Sequence, residues 1–142
     1  MENTFAQRSV QMLIIGLDEV EYKPFYFIKA IDDISVTPPN STVIFEYSKD
    51  NLELIKHCRK NDISFALICD TLKDTLLANA NDANFIICDK TIVKDAQKFA
   101  NEYMFDAKVL LYSSSEDELL WCANESIDGI IFEDAISYEA VR

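Results

Sequence analysis

Glycine is nearly missing from this chain: Gly16 and Gly129 are the only two in 142 residues. A loop that cradles phosphate needs clustered glycines so that backbone N–H groups can approach it closely. Neither a P-loop nor a GxGxxG dinucleotide turn is present. Histidine is scarcer still, with His57 alone in the helical stretch IKHCRK beside Cys58. Neighbours at i and i+1 on a helix point apart, so these two form no Cys–His dyad, and His57 reads as a structural residue. Basic charge is also short. Thirteen Lys and Arg stand against 25 Asp and Glu, a net charge of −12. Such a field repels nucleic-acid phosphates and anionic lipid, which argues against general nucleic-acid or membrane-surface binding and favours a protein partner or a cation.

Long hydrophobic runs are missing too. The apolar stretch around residues 12–15 is too short for a signal-peptide core or a membrane span, and residues 1–11 have no basic n-region. The expectation is a cytoplasmic protein. Cys58, Cys69, Cys88 and Cys122 show no CxxC spacing and sit in apolar or helical runs. In a reducing compartment they read as small core residues rather than as a disulfide framework.

What the chain does have is rhythm. With 49% hydrophobic and 27% charged residues it has the composition of a folded protein. Its length fits a single α/β domain over residues 1–142. From residue 41 onward, short apolar runs recur about every twenty residues. They are 42–47 (TVIFEY), 64–69 (SFALIC), 84–88 (NFIIC), 108–112 (KVLLY) and 129–133 (GIIFE). Continuous apolar runs of this length predict strands buried on both faces, as in a mostly parallel sheet flanked by helices. Helix signals lie between them: Asp50 before Leu52, Leu54 and Ile55, Thr71 before Asp74, and Ser115 three residues before Glu118. Ile92, Val93, Ala96, Phe99 and Ala100 repeat at helical spacing. Residues 1–40 are less regular. Runs at 12–17 and 25–29 predict one or two N-terminal edge strands, in a hairpin arrangement across the polar DEVEYK, with a single helical turn at 31–36 before Pro38 and Pro39.

Ligands of open parallel sheets bind beyond the carboxyl ends of the strands. That edge carries Glu46, Asp70 and Asp89, candidate oxygen ligands for Mg²⁺, which is the one cofactor the sequence offers. The simpler role for Asp70 and Asp89 is to cap the helices that follow them. Lys49, Lys73 and Lys90 lie near three helix starts, where their charge opposes the helix dipole, a placement that a shared anion or neighbouring aspartates would explain.

The segments VIFEYSKDNLELIKHC, NFIICDK, LLYSSSEDELL and IDGIIFEDAI give residues 42–142 an order of elements that resembles the receiver domain of bacterial response regulators. The resemblance implies a flavodoxin-like sheet of five βα-type strands in the order 2-1-3-4-5. It also places Glu46 at one of two acidic positions, Asp89 at the phospho-acceptor position and Ser113 or Ser114 at the hydroxyl position. The chain departs from the family at Tyr47, where a second acid belongs, and at Glu133, where an essential lysine belongs. A negative charge at Glu133 opposes stabilisation of a phosphoryl group at Asp89. A degenerate receiver-like module therefore fits better than an active one. The architectural alternative is a partial (βα) barrel, in which consecutive strands stay adjacent and the strands of Cys69 and Cys88 are neighbours.

The incomplete active-site set predicts a non-catalytic protein-interaction or regulatory module. Its expected partner is another protein or a second copy of the chain, met by surface aromatics among Tyr22, Phe25, Tyr26, Trp121 and Tyr138. The alternative is a small metal-dependent enzyme or phosphoryl-handling protein that uses the strand-end carboxylates.

Overall fold

The computed structural model describes residues 11–142; the reading of the first residues as lacking a targeting signal falls almost wholly outside them. Eight parallel strands make one sheet. In chain order they are β1 (Leu13–Ile15), β2 (Phe25–Phe27), β3 (Thr42–Glu46), β4 (Phe65–Ile68), β5 (Phe85–Cys88), β6 (Lys108–Ser113), β7 (Gly129–Phe132) and β8 (Ile136–Ser137). Helices α1 (Leu52–Lys60), α2 (Leu72–Ala80), α3 (Val93–Glu102) and α4 (Glu118–Asn124) connect β3 through β7. No helix among the described residues is long and apolar enough to cross a membrane.

The order across the sheet is β1-β7-β6-β5-β4-β3-β2-β8. The receiver-like order 2-1-3-4-5 is therefore corrected. β3 does not lie between the strands of Cys69 and Cys88, because β4 pairs directly with β5, Ile68 opposite Ile87. Cys69 N donates to the Ile87 carbonyl at 2.9 Å, which continues that pairing into the two cysteines. The local strand–helix rhythm is the same for either order. Long-range pairing alone separates them.

Three more features differ from expectation. β1 and β2 form no hairpin; β1 pairs with β7 and β2 with β3, all parallel. The segment 25–28 is no peripheral addition, since β2 is flanked by β3 and β8 and Ile28 is fully buried. β8 was not anticipated, being two residues long in a tail that carries little apolar pattern.

The sheet is strongly curled, and chain connectivity demands it. β7 and β8 stand six strands apart in the sheet, about 29 Å if it were flat. Only the 3₁₀ turn Glu133–Ala135 joins them, and a connection of that length reaches no more than about 14 Å. The ring contacts agree. Phe25 of β2 and Phe85 of β5 have centroids 5.0 Å apart although two strands intervene.

Curling makes two apolar layers. The concave face is filled by strand residues: Phe25, Ile44, Ala66, Ile87, Leu110 and Ile131 are buried there, one from each of β2 to β7. The convex face is covered by helices, with Val43, Phe45, Phe65, Leu67, Ile86, Val109, Leu111 and Ile130 packed against Ile55, Cys58, Ala78, Val93, Ala96 and Cys122. This two-sided burial is why the strand sequences read as continuous apolar runs.

Both glycines serve the seam where β1 meets β7. A Cβ on Gly129 would lie 2.6 Å from the Leu13 Cβ and the Leu13 carbonyl oxygen. Gly16 has φ +115, and a Cβ there would press on Phe132 and Ala135 at 3.0 and 3.1 Å. With none left for helix ends, the chain places Asp62, Asp82, Met104 and Ser126 in the left-handed conformation one residue beyond each helix cap. Ile63, Ala83, Phe105 and Ile127 then donate back to Cys58, Ala78, Ala100 and Cys122 at 2.9–3.2 Å. All four helices thus leave by the same Schellman turn, each with an apolar residue entering the next strand.

Two measurements test this description. Phe25→Ala or Phe85→Ala should cost about 3–5 kcal/mol by urea unfolding. The double variant should show a coupling of about 0.5–1.5 kcal/mol, whereas a flat sheet predicts simple additivity. Met104→Gly should raise unfolding free energy by about 0.5–1 kcal/mol, because it removes left-handed strain at a side chain that is 84% exposed.

Candidate functional site

Period-two alternation decides what each strand end presents. Phe65 and Leu67 of β4, like Ile86 of β5, face the helices, and so do Cys69 and Cys88 beyond them. Ala66 and Ile68, Phe85 and Ile87 face the concave side. Asp70 and Asp89 follow in the concave phase, and Tyr112 continues that phase from Leu110 on β6.

These side chains meet in a pocket of about 160 Å³ at the carboxyl mouth of the curled sheet. Ile68, Ile87 and Ile136 give it apolar surface, Asp70 and Asp89 carboxylates, Tyr112 and Tyr138 phenol rings, and the buried Cys69 and Cys88 complete the lining. The Tyr138 ring is seated against Phe27, with centroids 5.3 Å apart. Tyr112 Oη donates to Glu133 Oε2 at 3.4 Å. Burial first, then the neighbouring Glu133 and Tyr138, raises the Tyr112 pKa. Three wider depressions of 390–540 Å³ lie at the opposite edge, around helix exits such as Arg59–Asp82 and Asn61. In curled parallel sheets that edge serves stability, so the smaller pocket is the stronger candidate.

Of the expected carboxylate trio, the structure gathers two. Glu46 ends β3 exposed, with its backbone carbonyl accepting from Asn51 Nδ2 at 2.8 Å, and it is not among the residues of the pocket. Among the described residues no group of three or more His, Cys, Asp or Glu is placed to hold a metal ion. Asp89 does not cap the helix itself: its Oδ1 accepts from the Thr91 N–H at 2.9 Å and from the Thr91 hydroxyl, in the turn before α3, whose N-cap is Ile92 without a side-chain cap. Asp70 does not cap, because Thr71 Oγ1 takes that place and accepts from Asp74 N at 3.2 Å. The Asp70 carboxylate is in none of the ion pairs found among the described residues.

The aromatic candidates form no single surface. Phe25 is 5% exposed and belongs to the concave core, where Tyr22 packs against it, so it is no contact residue. Tyr26, half-buried, sits on the other face of β2. Trp121 packs on the helix side of the sheet, with Lys90 Nζ 4.7 Å from its ring centroid. Only Tyr138 reaches the mouth. Lys90 also pairs with Glu118 at 3.5 Å, so its charge is committed away from the mouth. None of the three helix-start lysines belongs to the pocket. Ser113 is buried, donating to Glu118 Oε1 at 2.6 Å and accepting from Ser115 N, and His57 is remote on α1.

Tyr112 ends the apolar run 108–112, and its alternation with Leu110 is the signal that aims it inward. Ile136 and Tyr138 come to the pocket through β8, which no pattern announced.

All four thiols are buried. Burial pushes Cys58 and Cys122 up to about 11 and Cys88 up to about 12, and Cys69 higher, with Cys88 and nearby aspartates adding to its shift. Raised pKa values leave little thiolate for nucleophilic chemistry at neutral pH. They also fix a pH response. The protonated thiols are favoured in the fold, so their contribution is intact below the ordinary value of 9.0. It is lost as pH rises from there towards 11, because the unfolded chain ionises first. Urea midpoints should therefore fall between pH 9 and pH 11. Replacing all four cysteines with alanine should flatten that part of the profile, whatever its effect at pH 7. No family model matches the chain, and no curated protein matches it.

Proposed function

We propose that the protein is a non-catalytic binding module whose site for a small ligand is the pocket at the carboxyl mouth of its curled sheet. One observation carries this reading: two carboxylates, two phenols and an isoleucine surface converge at the edge where parallel βα folds take ligands. A nucleophilic assignment lacks an activated participant, since His57 is remote and the thiols of Cys69 and Cys88 at the pocket are buried and protonated. A receiver-type phosphoryl site has little support, because Ser113 points its hydroxyl into a buried contact with Glu118 and Glu133 stands where a lysine is needed. A protein-docking role draws no support from the scattered aromatics.

The test is an NMR-detected fragment screen on the full chain. Binders should shift backbone resonances of Asp70, Asp89, Tyr112 and Tyr138, and Tyr138→Ala should weaken them about tenfold, or about 1.4 kcal/mol. Binders that act only at the opposite edge, or a screen without binders, would overturn the reading.

A further inference from the structure

Resting on that site, we infer that its ligand is a small organic cation: an alkylammonium or guanidinium group carrying a short apolar portion. The argument starts from charge. The pocket contains Asp70 and Asp89 and no Lys, Arg or His. Lys90, next to Asp89 in sequence, is held away by Glu118 and Trp121. Asp89 uses Oδ1 for Thr91, which fixes its carboxylate and leaves Oδ2 without a protein partner among the described residues. Asp70 is in no ion pair there. An anionic ligand would meet two carboxylates with no compensating charge, in a chain of net charge −12.

The rest of the lining separates an organic cation from a metal ion. Mg²⁺ or Ca²⁺ requires six or more oxygen ligands and retains water, whereas Ile68 and Ile87 form an apolar wall here and, among the described residues, no three-donor group is assembled. Tyr112 and Tyr138 line the pocket, and aromatic rings attract alkylammonium and guanidinium groups through their quadrupole. The volume of about 160 Å³ equals that of about five liquid waters, enough for a cationic head and a few methylenes. The alkyl portion meets the isoleucines, and the head meets the carboxylates.

The experiment is a ¹H–¹⁵N NMR titration of the full chain with n-butylammonium chloride, n-butanol, sodium butyrate and magnesium chloride at constant ionic strength. Saturable shifts at Ile68–Asp70, Ile87–Asp89, Tyr112 and Tyr138 are expected with n-butylammonium. Its affinity should be at least tenfold above that of n-butanol, and butyrate should cause no saturable shift. Asp70→Asn should weaken butylammonium about tenfold. Asp89→Asn keeps the oxygen that accepts from Thr91 and should do the same, with thermal unfolding confirming that both variants fold. If butanol or butyrate binds there as well as butylammonium, or the Asn variants bind it unchanged, the cation inference falls while the pocket stands as a binding site. If magnesium alone saturates at Asp70 and Asp89, the site is a metal site and the inference falls. If none of the four probes shifts these residues, both the inference and the mouth as a binding site are overturned.

Discussion

The three-residue turn Glu133–Ala135 is the constraint on which the rest of the architecture hangs. It delivers the chain from β7, near one end of the sheet, to β8 at the other. A peptide that short cannot span a flat sheet, so the sheet wraps until its two ends approach. Wrapping then creates the concave face, and that face has to be filled from the strands, since the helices all lie outside. Phe25 and Phe85 meet across it for this reason. The same turn brings Ile136 and Tyr138 over the carboxyl mouth, and without them the pocket would have no wall on that side.

Much of this was written in local patterns, and those patterns were readable. The five apolar runs from residue 42 are β3 to β7, and the capping residue Thr71 acts at a helix start. Closure was not readable, for a physical reason. Local periodicity reports which faces of a strand are buried, and both a doubly wound sheet and a curled one bury both faces. The choice lies in partners far apart in sequence, such as Leu13 with Gly129. β8 is too short to leave a periodic trace, so the residues it contributes to the mouth were invisible in that role. A quieter signal was available at the helix exits. Asp62, Asp82, Met104 and Ser126 each precede an apolar residue at a matching offset, marking a repeated turn that carries no glycine.

The alternation of strand residues also explains the division of chemistry at the mouth. Cys69 and Asp70 are adjacent in sequence, as are Cys88 and Asp89, yet each pair is split between two environments. The thiols go to the helix-covered side, where an ionised group would be heavily penalised. The carboxylates go to the concave rim, where water still reaches them. A one-residue slip in either strand would bury the carboxylates and expose the thiols, so the register of β4 on β5 is strongly specified.

The seam has a kinetic meaning as well. Strands β3 to β7 pair with near neighbours in the chain, each contact closing a loop of about one βα unit. β1 with β7 and β2 with β8 join residues more than a hundred positions apart. Closing such loops carries the largest entropic penalty and gains least until the intervening units are in place. Contact order therefore predicts that the central units form first and that the pairings of β1 and β8 close last. By the same reasoning the pocket mouth, walled by β8 and Tyr138, is the part expected to open first when the fold loosens.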